Sequence, residues 1–227
     1  HSYSSAASDV YKRQQLKFLP SFVKRKGRIT KKQTHSLSSL SEFSVKSVQE
    51  VEDFSKHFDK CYLEIGFGNA ENIIFQATNN PSYLFIGSEV YMSGIGTLVS
   101  GIKENNINNV KIFSDDIRLL LDQSPKKIFD SVIIICPDPW PKEKHHKRRL
   151  INESFLKMIH DFMKDDSNVY ISTDWENYAE GISELFKENK LFKPSINKSF
   201  YKESLSKFER RGKDEGRDLF EFNYEKV

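Results

Sequence analysis

CYLEIGFGNAENIIFQATNN, from Cys61 to Asn80, sets an apolar run, a glycine turn and a helical period one after another. Cys61 to Ile65 is a mostly apolar run of strand length that stops at Gly66, Phe67 and Gly68, after which Ala70 to Thr78 takes up helical spacing. Outward from this strand, turn and helix the alternation continues. Tyr83 to Val90 reads as a strand, Gly94 to Asn105 as a helix, Val110 to Phe113 as a strand and Ile117 to Leu121 as a short helix. Ser131 to Cys136 is a fourth strand, followed by a Pro-rich loop, a helix near Asn152 to Met163, a fifth strand from Asn168 to Thr173 and a last one from Asp218 to Tyr224. Repeated βα units predict an α/β fold, a doubly wound, mostly parallel sheet with helices on both faces. Such sheets bind ligands at the carboxyl ends of their strands, so the residues just after each strand carry the chemistry.

The chain of 227 residues suits one such domain with a short extension. Hydrophobic residues at 37% and charged residues at 30% mark a globular chain. No apolar run approaches the roughly 20 residues that span a bilayer. The longest, Val132 to Cys136, has strand length, and a soluble, cytoplasmic protein without a membrane partner is expected. Cys61 and Cys136 lie in apolar runs rather than at ligand spacing, which predicts reduced thiols and no metal site. Residues 1–14 are Ser- and Ala-rich without apolar period and read as a non-native or disordered tail. Residues 15–47 read as a basic arm and linker, the Ser-rich part from Ser36 to Ser47 being the linker, and residues 48–227 as the catalytic-type domain. Between Lys12 and Lys32 nine cations face no acidic residue, although a net charge of +3 says little by itself about polyanion binding.

Glu64, Gly66 and Gly68 form an ExGxG pattern in which the glycines let backbone approach a ligand at the next helix N-terminus. A tight structural turn would use the same residues. A dinucleotide site prefers a third glycine where this chain has Glu71, and a carboxylate there repels a pyrophosphate. S-adenosylmethionine has no phosphate, and its sulfonium and ammonium groups match a site built on Glu64. Glu89, at the end of the second strand, stands where an acidic side chain accepts from ribose hydroxyls. Asp116, after the third strand, reads equally as an adenine contact or as a helix N-cap. After the fourth strand, PDPWPKEKHHKRR (Pro137 to Arg149) combines Asp138 between two prolines, the flat face of Trp140 and five cations, a set suited to a base and its phosphates. His145 and His146 are sequence neighbours, cannot share a metal on one helix face, and read as part of a polar RNA surface. Thr173, Asp174, Trp175 and Glu176 repeat the carboxylate and aromatic pairing after the fifth strand. SKFERRGK (Ser206 to Lys213) sets cations around Phe208, or is a polar turn.

With those segments assembled, the chain resembles the bacterial tRNA (guanine-N7)-methyltransferase family from about Ser21 to Phe222, through SFVKRKGRITKKQ, YLEIGFG, PDPWPKEKHHKRR, STDWENYAE and SKFERRG in order. The resemblance implies a class I, Rossmann-like methyltransferase sheet and an enzyme that methylates N7 of a guanosine in the tRNA variable loop. It implies S-adenosylmethionine contacts at Glu64, Glu89, Asp116 and Asp138 around the loop glycines Gly66 and Gly68, and substrate contacts at Lys142, Asp174, Ser206, Lys207, Phe208 and Glu209. RNA contacts fall on Lys144, His145, His146, Lys147, Arg148 and Arg149. Guanine N7 needs no deprotonation, so Asp138 is the catalytic candidate, stabilising the purine as it turns cationic. Partners would be tRNA and either no second copy or one. Ala70 replaces the family's usual glycine, and Tyr91, Met92 and Ser93 its usual His, Arg and Pro. The rival readings are a methyltransferase for another substrate, an RNA-binding protein that has lost catalysis, and a dinucleotide oxidoreductase.

Overall fold

The computed structural model describes residues 18–23, 28–196 and 205–227. The tail 1–14 and the arm cations Lys12, Arg13, Lys17, Lys24, Arg25 and Lys26 lie outside the described residues. In chain order the elements are α1 (Lys31–Leu37), α2 (Leu40–Phe43), α3 (Val48–Ser55), β1 (Lys60–Ile65), α4 (Glu71–Asn79), β2 (Tyr83–Ser88), α5 (Met92–Glu104) and β3 (Val110–Phe113). There follow α6 (Ile117–Leu121), β4 (Phe129–Ile135), a 3-10 turn (Glu143–Arg148), α7 (Glu153–Phe162), β5 (Met163–Thr173), α8 (Glu176–Glu188), β6 (Phe192–Pro194), α9 (Lys207–Asp214) and β7 (Phe220–Lys226).

The strands form one seven-stranded sheet in the order β3-β2-β1-β4-β5-β7-β6. β3, β2, β1, β4 and β5 run parallel, and β7 is antiparallel to both β5 and β6. The order reverses at β1, where Leu63 pairs with Ile86 on one side and Val132 on the other, so β1 and β4 flank the switch point at which an open α/β sheet leaves a crevice. Strand alternation sends Leu63, Ile86, Val132, Ile134 and Ile171 to a core shared with Val51, Leu120, Phe155 and Tyr178. Phe85 and Ile112 point the other way, against Ile73, Ile95 and Leu98 of α4 and α5. Covering both faces confines every ligand-accessible group of the central strands to their ends.

The stretch Ser36 to Ser47 is not a linker. Thr30 and Gln33 make a capping box that starts α1, and the serines serve as local caps: Ser36 Oγ donates to Lys32 O, Ser44 Oγ donates to Leu40 O, and Ser47 accepts from Glu50 N–H. Gln33 Nε2 donates to Thr97 on α5 at 3.0 Å, Leu37, Leu40 and Phe43 join the α5 core, and Val45 N–H donates to Ile112 O. α3, α8, β6 and α9 also go beyond the sequence reading. β5 begins earlier than expected, at Met163, which pairs with Phe129 before an irregular register. No helix among the described residues is long and apolar enough to cross a membrane.

Candidate active site

The carboxyl edge of the sheet gathers the acidic side chains. Gly66 N–H donates to Ser88 O at 2.8 Å, and with Gly66 at φ 73° and Gly68 at φ 53° the loop after β1 turns through the left-handed region. Gly68 N–H then meets Glu89 Oε2 at 3.0 Å, while Glu89 Oε1 accepts from the N–H groups of Val90 at 2.6 Å and Tyr91 at 3.0 Å. Glu89 is only 5% exposed, and burial first, then the nearby charge of Asp138, pushes its carboxyl up against the pull of those three donors. Glu64, 3% exposed, accepts from Asn72 Nδ2 at 2.7 Å; burial, aided by Glu209 and Glu89, pushes its pKa up to about 8. Ala70 takes φ 64° as the N-cap of α4, which explains why a glycine suits that position.

Gly94, in the first turn of α5, sits so close to this loop that a β-carbon on it would lie 2.3 Å from the Gly68 carbonyl oxygen. Backbone cannot swing aside as a side chain does. Gly94→Ala is therefore expected to cost about 1–3 kcal/mol by overpacking, enough to lower Tm by roughly 3–10 °C and to displace the loop. Thermal unfolding checks it; an unchanged Tm would mean that α5 slides without resistance.

α9 roofs the loop. Its N-cap Ser206 and Glu209 form a capping box, and buried Glu209 also accepts from Ser172 Oγ at 2.9 Å on β5. Phe208, half exposed, reaches over Gly68, and Glu71 ties the roof down by accepting from Lys207 N–H at 3.1 Å and from the Arg210 guanidinium at 2.9 and 3.0 Å. Glu64, Gly66, Gly68, Asn72, Ser206 and Phe208 thus line one cavity. Asp174 accepts from Arg217 Nε at 2.8 Å and opens onto a second cleft of about 420 Å³ with Trp175, Glu176 and Phe220.

The loop after β4 carries Asp138, exposed, between prolines. Lys142, Lys144 and Lys147 are exposed on or beside the 3-10 turn; His145, His146, Arg148 and Arg149 are half-buried. Burial and the charges of Lys144, Arg148, Lys142 and Lys147 push the His145 imidazole below its ordinary value. Arg149 turns inward: Nε donates to Pro139 O, Nη2 to Asn177 Oδ1 at 2.8 Å, and its guanidinium lies 4.7 Å over Tyr178. Trp140, read as a base platform, instead donates Nε1–H to Ser21 O at 2.9 Å beneath the guanidinium of Arg148. Asp116 caps α6: it accepts from Arg118 N–H and, on both oxygens, from the Arg118 guanidinium at 2.6–3.0 Å. Among the described residues no group of three or more His, Cys, Asp or Glu side chains could hold a metal. Sequence reading missed Asn72, which donates to Glu64, and Arg118 and Arg217, whose bonds to Leu19 O and Asp174 span 99 and 43 positions.

A crevice at the switch point, floored by buried carboxylates and looped by glycines, defines a methyltransferase of the seven-stranded α/β class. A family model described as putative methyltransferase matches residues 59–222. The tRNA (guanine-N(7)-)-methyltransferase of Nitrosococcus oceani is 33% identical over 215 residues, covering 92% of this chain and 91% of that protein. Its counterpart from Wolbachia pipientis wMel is 36% identical over 174 residues, covering 76% and 78%. The chain belongs to the tRNA (guanine-N(7)-)-methyltransferase family. In fold it is also similar to the 16S rRNA methyltransferase KamB, with a TM-score of 0.58 at 11% identity, covering 81% of this chain and 95% of that one.

Proposed function

We propose that this chain transfers a methyl group from S-adenosylmethionine to N7 of a guanosine in tRNA, with the variable loop as the target region. The observation that carries the reading is the juxtaposition of buried Glu64 and Glu89 with exposed Lys142, Lys144 and Lys147 at one edge of the sheet. Burial disfavours the ionised form of both carboxyl groups, a cationic ligand favours it, and the exposed lysines offer a salt-dependent grip on phosphates. The donor set fits a cationic cofactor, and Glu71, paired with Arg210, stands where a dinucleotide loop prefers a glycine. When bound, the cofactor supplies an electrophilic methyl on a sulfonium. The chain's own residues then position and stabilise: Asp138 is the proposed partner of a purine gaining positive charge, and Asp174 and Ser206, which line two separate clefts, are the proposed contacts of the substrate. Holding the nucleophile in line is worth up to roughly 7–11 kcal/mol in well-oriented systems, so no general base is required.

The test is incubation with unmodified tRNA and labelled cofactor, followed by chemical cleavage at 7-methylguanosine. Cleavage at a variable-loop guanosine is the expected result; label at another base or atom would overturn the reading.

Glu64 also predicts a pH dependence. Asn72 from α4, Glu209 from α9 and Glu89 after β2 face it, and its pKa of about 8 exceeds its ordinary 4.5, so the ligand-free site holds a proton at neutral pH. By linkage, the stability this group contributes to the ligand-free fold is full below 4.5 and is lost as pH rises through about 8. A cationic ligand favours the ionised form, so binding expels that proton. Cofactor Kd should tighten by up to about tenfold per pH unit below pH 8 and level off above it. Calorimetric titration across that window checks this, and a flat Kd would remove Glu64 from the cation site.

A further inference from the structure

Three side chains hold the segment just before the basic cluster at Lys24. Tyr91 Oη donates to Val23 O at 2.5 Å, Trp140 Nε1 to Ser21 O at 2.9 Å, and Arg118 Nη2 to Leu19 O at 3.0 Å, with the same guanidinium 5.1 Å from the Phe18 ring. The carbonyls engaged belong to every second residue. The donors come from the carboxyl ends of three different strands, β2, β4 and β3. Each also stands two positions after a cleft carboxylate: Tyr91 after Glu89, Arg118 after Asp116 and Trp140 after Asp138. Two of these pairs are bonded directly, since Glu89 accepts from Tyr91 N–H and Asp116 from the Arg118 guanidinium.

We propose that Tyr91, Arg118 and Trp140 form a seat that fixes the chain entering the basic arm along the rim of the cleft, making Trp140 a positioning residue for RNA rather than a platform for a base. The inference rests on the tRNA reading above. A seat built from buried or half-buried donors does not depend on the arm's own sequence, because it grips backbone carbonyls. What it delivers is place: in the sequence the cations Lys24, Arg25 and Lys26 follow directly after the held residue Val23, and Trp140, which holds Ser21, precedes the exposed Lys142, Lys144 and Lys147. Polyanion affinity depends on how many cations reach phosphates together, so fixing the arm raises the number engaged at once. The seat also meets the buried carboxylate Glu89 of the cleft, which accepts from Tyr91 N–H.

Trp140→Phe keeps a smaller aromatic face and removes the N–H donor. The full-length variant should raise KM for tRNA by about fivefold, leave kcat within about twofold, and lower the slope of log K against log salt by about one phosphate equivalent. Tyr91→Phe, which also keeps its ring, should act in the same direction. In a background with Lys24, Arg25 and Lys26 changed to Gln, Trp140→Phe should have no further effect, because the seat then has no cations to place. A base platform makes opposite predictions: Trp140→Phe retains tRNA affinity and salt slope. That result, or an equal loss in both backgrounds, overturns the seat. Wild-type protein that binds tRNA but forms no 7-methylguanosine would instead sink the proposed reaction, and the salt-slope comparison would still judge the seat.

Discussion

Asp138→Asn is expected to lower kcat by about 100- to 1000-fold while tRNA affinity stays within about twofold of wild type, the range found when a preorganised electrostatic partner is removed from a transition state. The substitution is nearly isosteric, and Pro137 and Pro139 restrict the backbone on either side, so the loop keeps its course. What vanishes, on the proposed role of Asp138, is one negative charge beside the reacting purine. The ground-state base is neutral and gains little from that charge, whereas the methylated base is cationic and gains much, so the loss falls on kcat. A second readout belongs to the same change. The Asp138 charge is one of the groups holding the Glu89 carboxyl up, so its removal should move any Glu89-linked limb of the pH profile toward acid. Single-turnover methyl transfer with separate measurement of tRNA binding distinguishes the outcomes. Retained turnover would assign stabilisation to another group, and weakened tRNA binding alone would make Asp138 a docking residue.

The parallel core of the sheet was legible because its strands are buried on both faces and so read as apolar runs: β3 and α6 fall where the pattern puts them, and β1, β2 and β4 within two residues or so. The antiparallel edge was less so. β6 is three residues long and ends at Pro194, too short to show a period, and α8 begins inside the motif Asp174 to Glu176 that was read for its chemistry. Ser36 to Ser47 was misread because serine that caps a helix and serine in a linker look alike in composition; only the contacts of Gln33 and Leu37 with α5 separate them. At the site, residue types at the strand ends located Glu64 and Glu89, since burial at a strand end follows from topology. The N-cap role of Asp116 was open to the sequence, whereas the holds that Trp140 and Arg118 take on the N-terminal segment were not. The partner of Trp140 is 119 positions away and that of Arg118 up to 99, and long-range bonds to backbone carbonyls leave no mark on side-chain identity.

Glu89→Gln is expected to weaken S-adenosylmethionine binding by about 100-fold, or roughly 3 kcal/mol, and to lower Tm. Glu89 organises the loop as well as offering a carboxylate. Its Oε1 accepts from Val90 and Tyr91 and its Oε2 from Gly68, so three backbone donors converge on one buried side chain. A glutamine has one acceptor oxygen. Keeping Val90 and Tyr91 satisfied turns the amide nitrogen toward Gly68 N–H, placing donor against donor in a site that is 5% exposed. An unsatisfied buried donor costs about 1–3 kcal/mol, and loss of the charge removes a comparable attraction for a cationic ligand. The two contributions separate experimentally. Salt or pH dependence of the remaining affinity reports the charge, and the Tm of the ligand-free variant reports the loop. A variant with wild-type Tm and a Kd changed less than threefold would show that Gly68 is held by the turn alone and that the ligand does not sense Glu89. A lowered Tm with unchanged Kd would make Glu89 a fold residue only, and the cation site would then rest on Glu64 and Asp138.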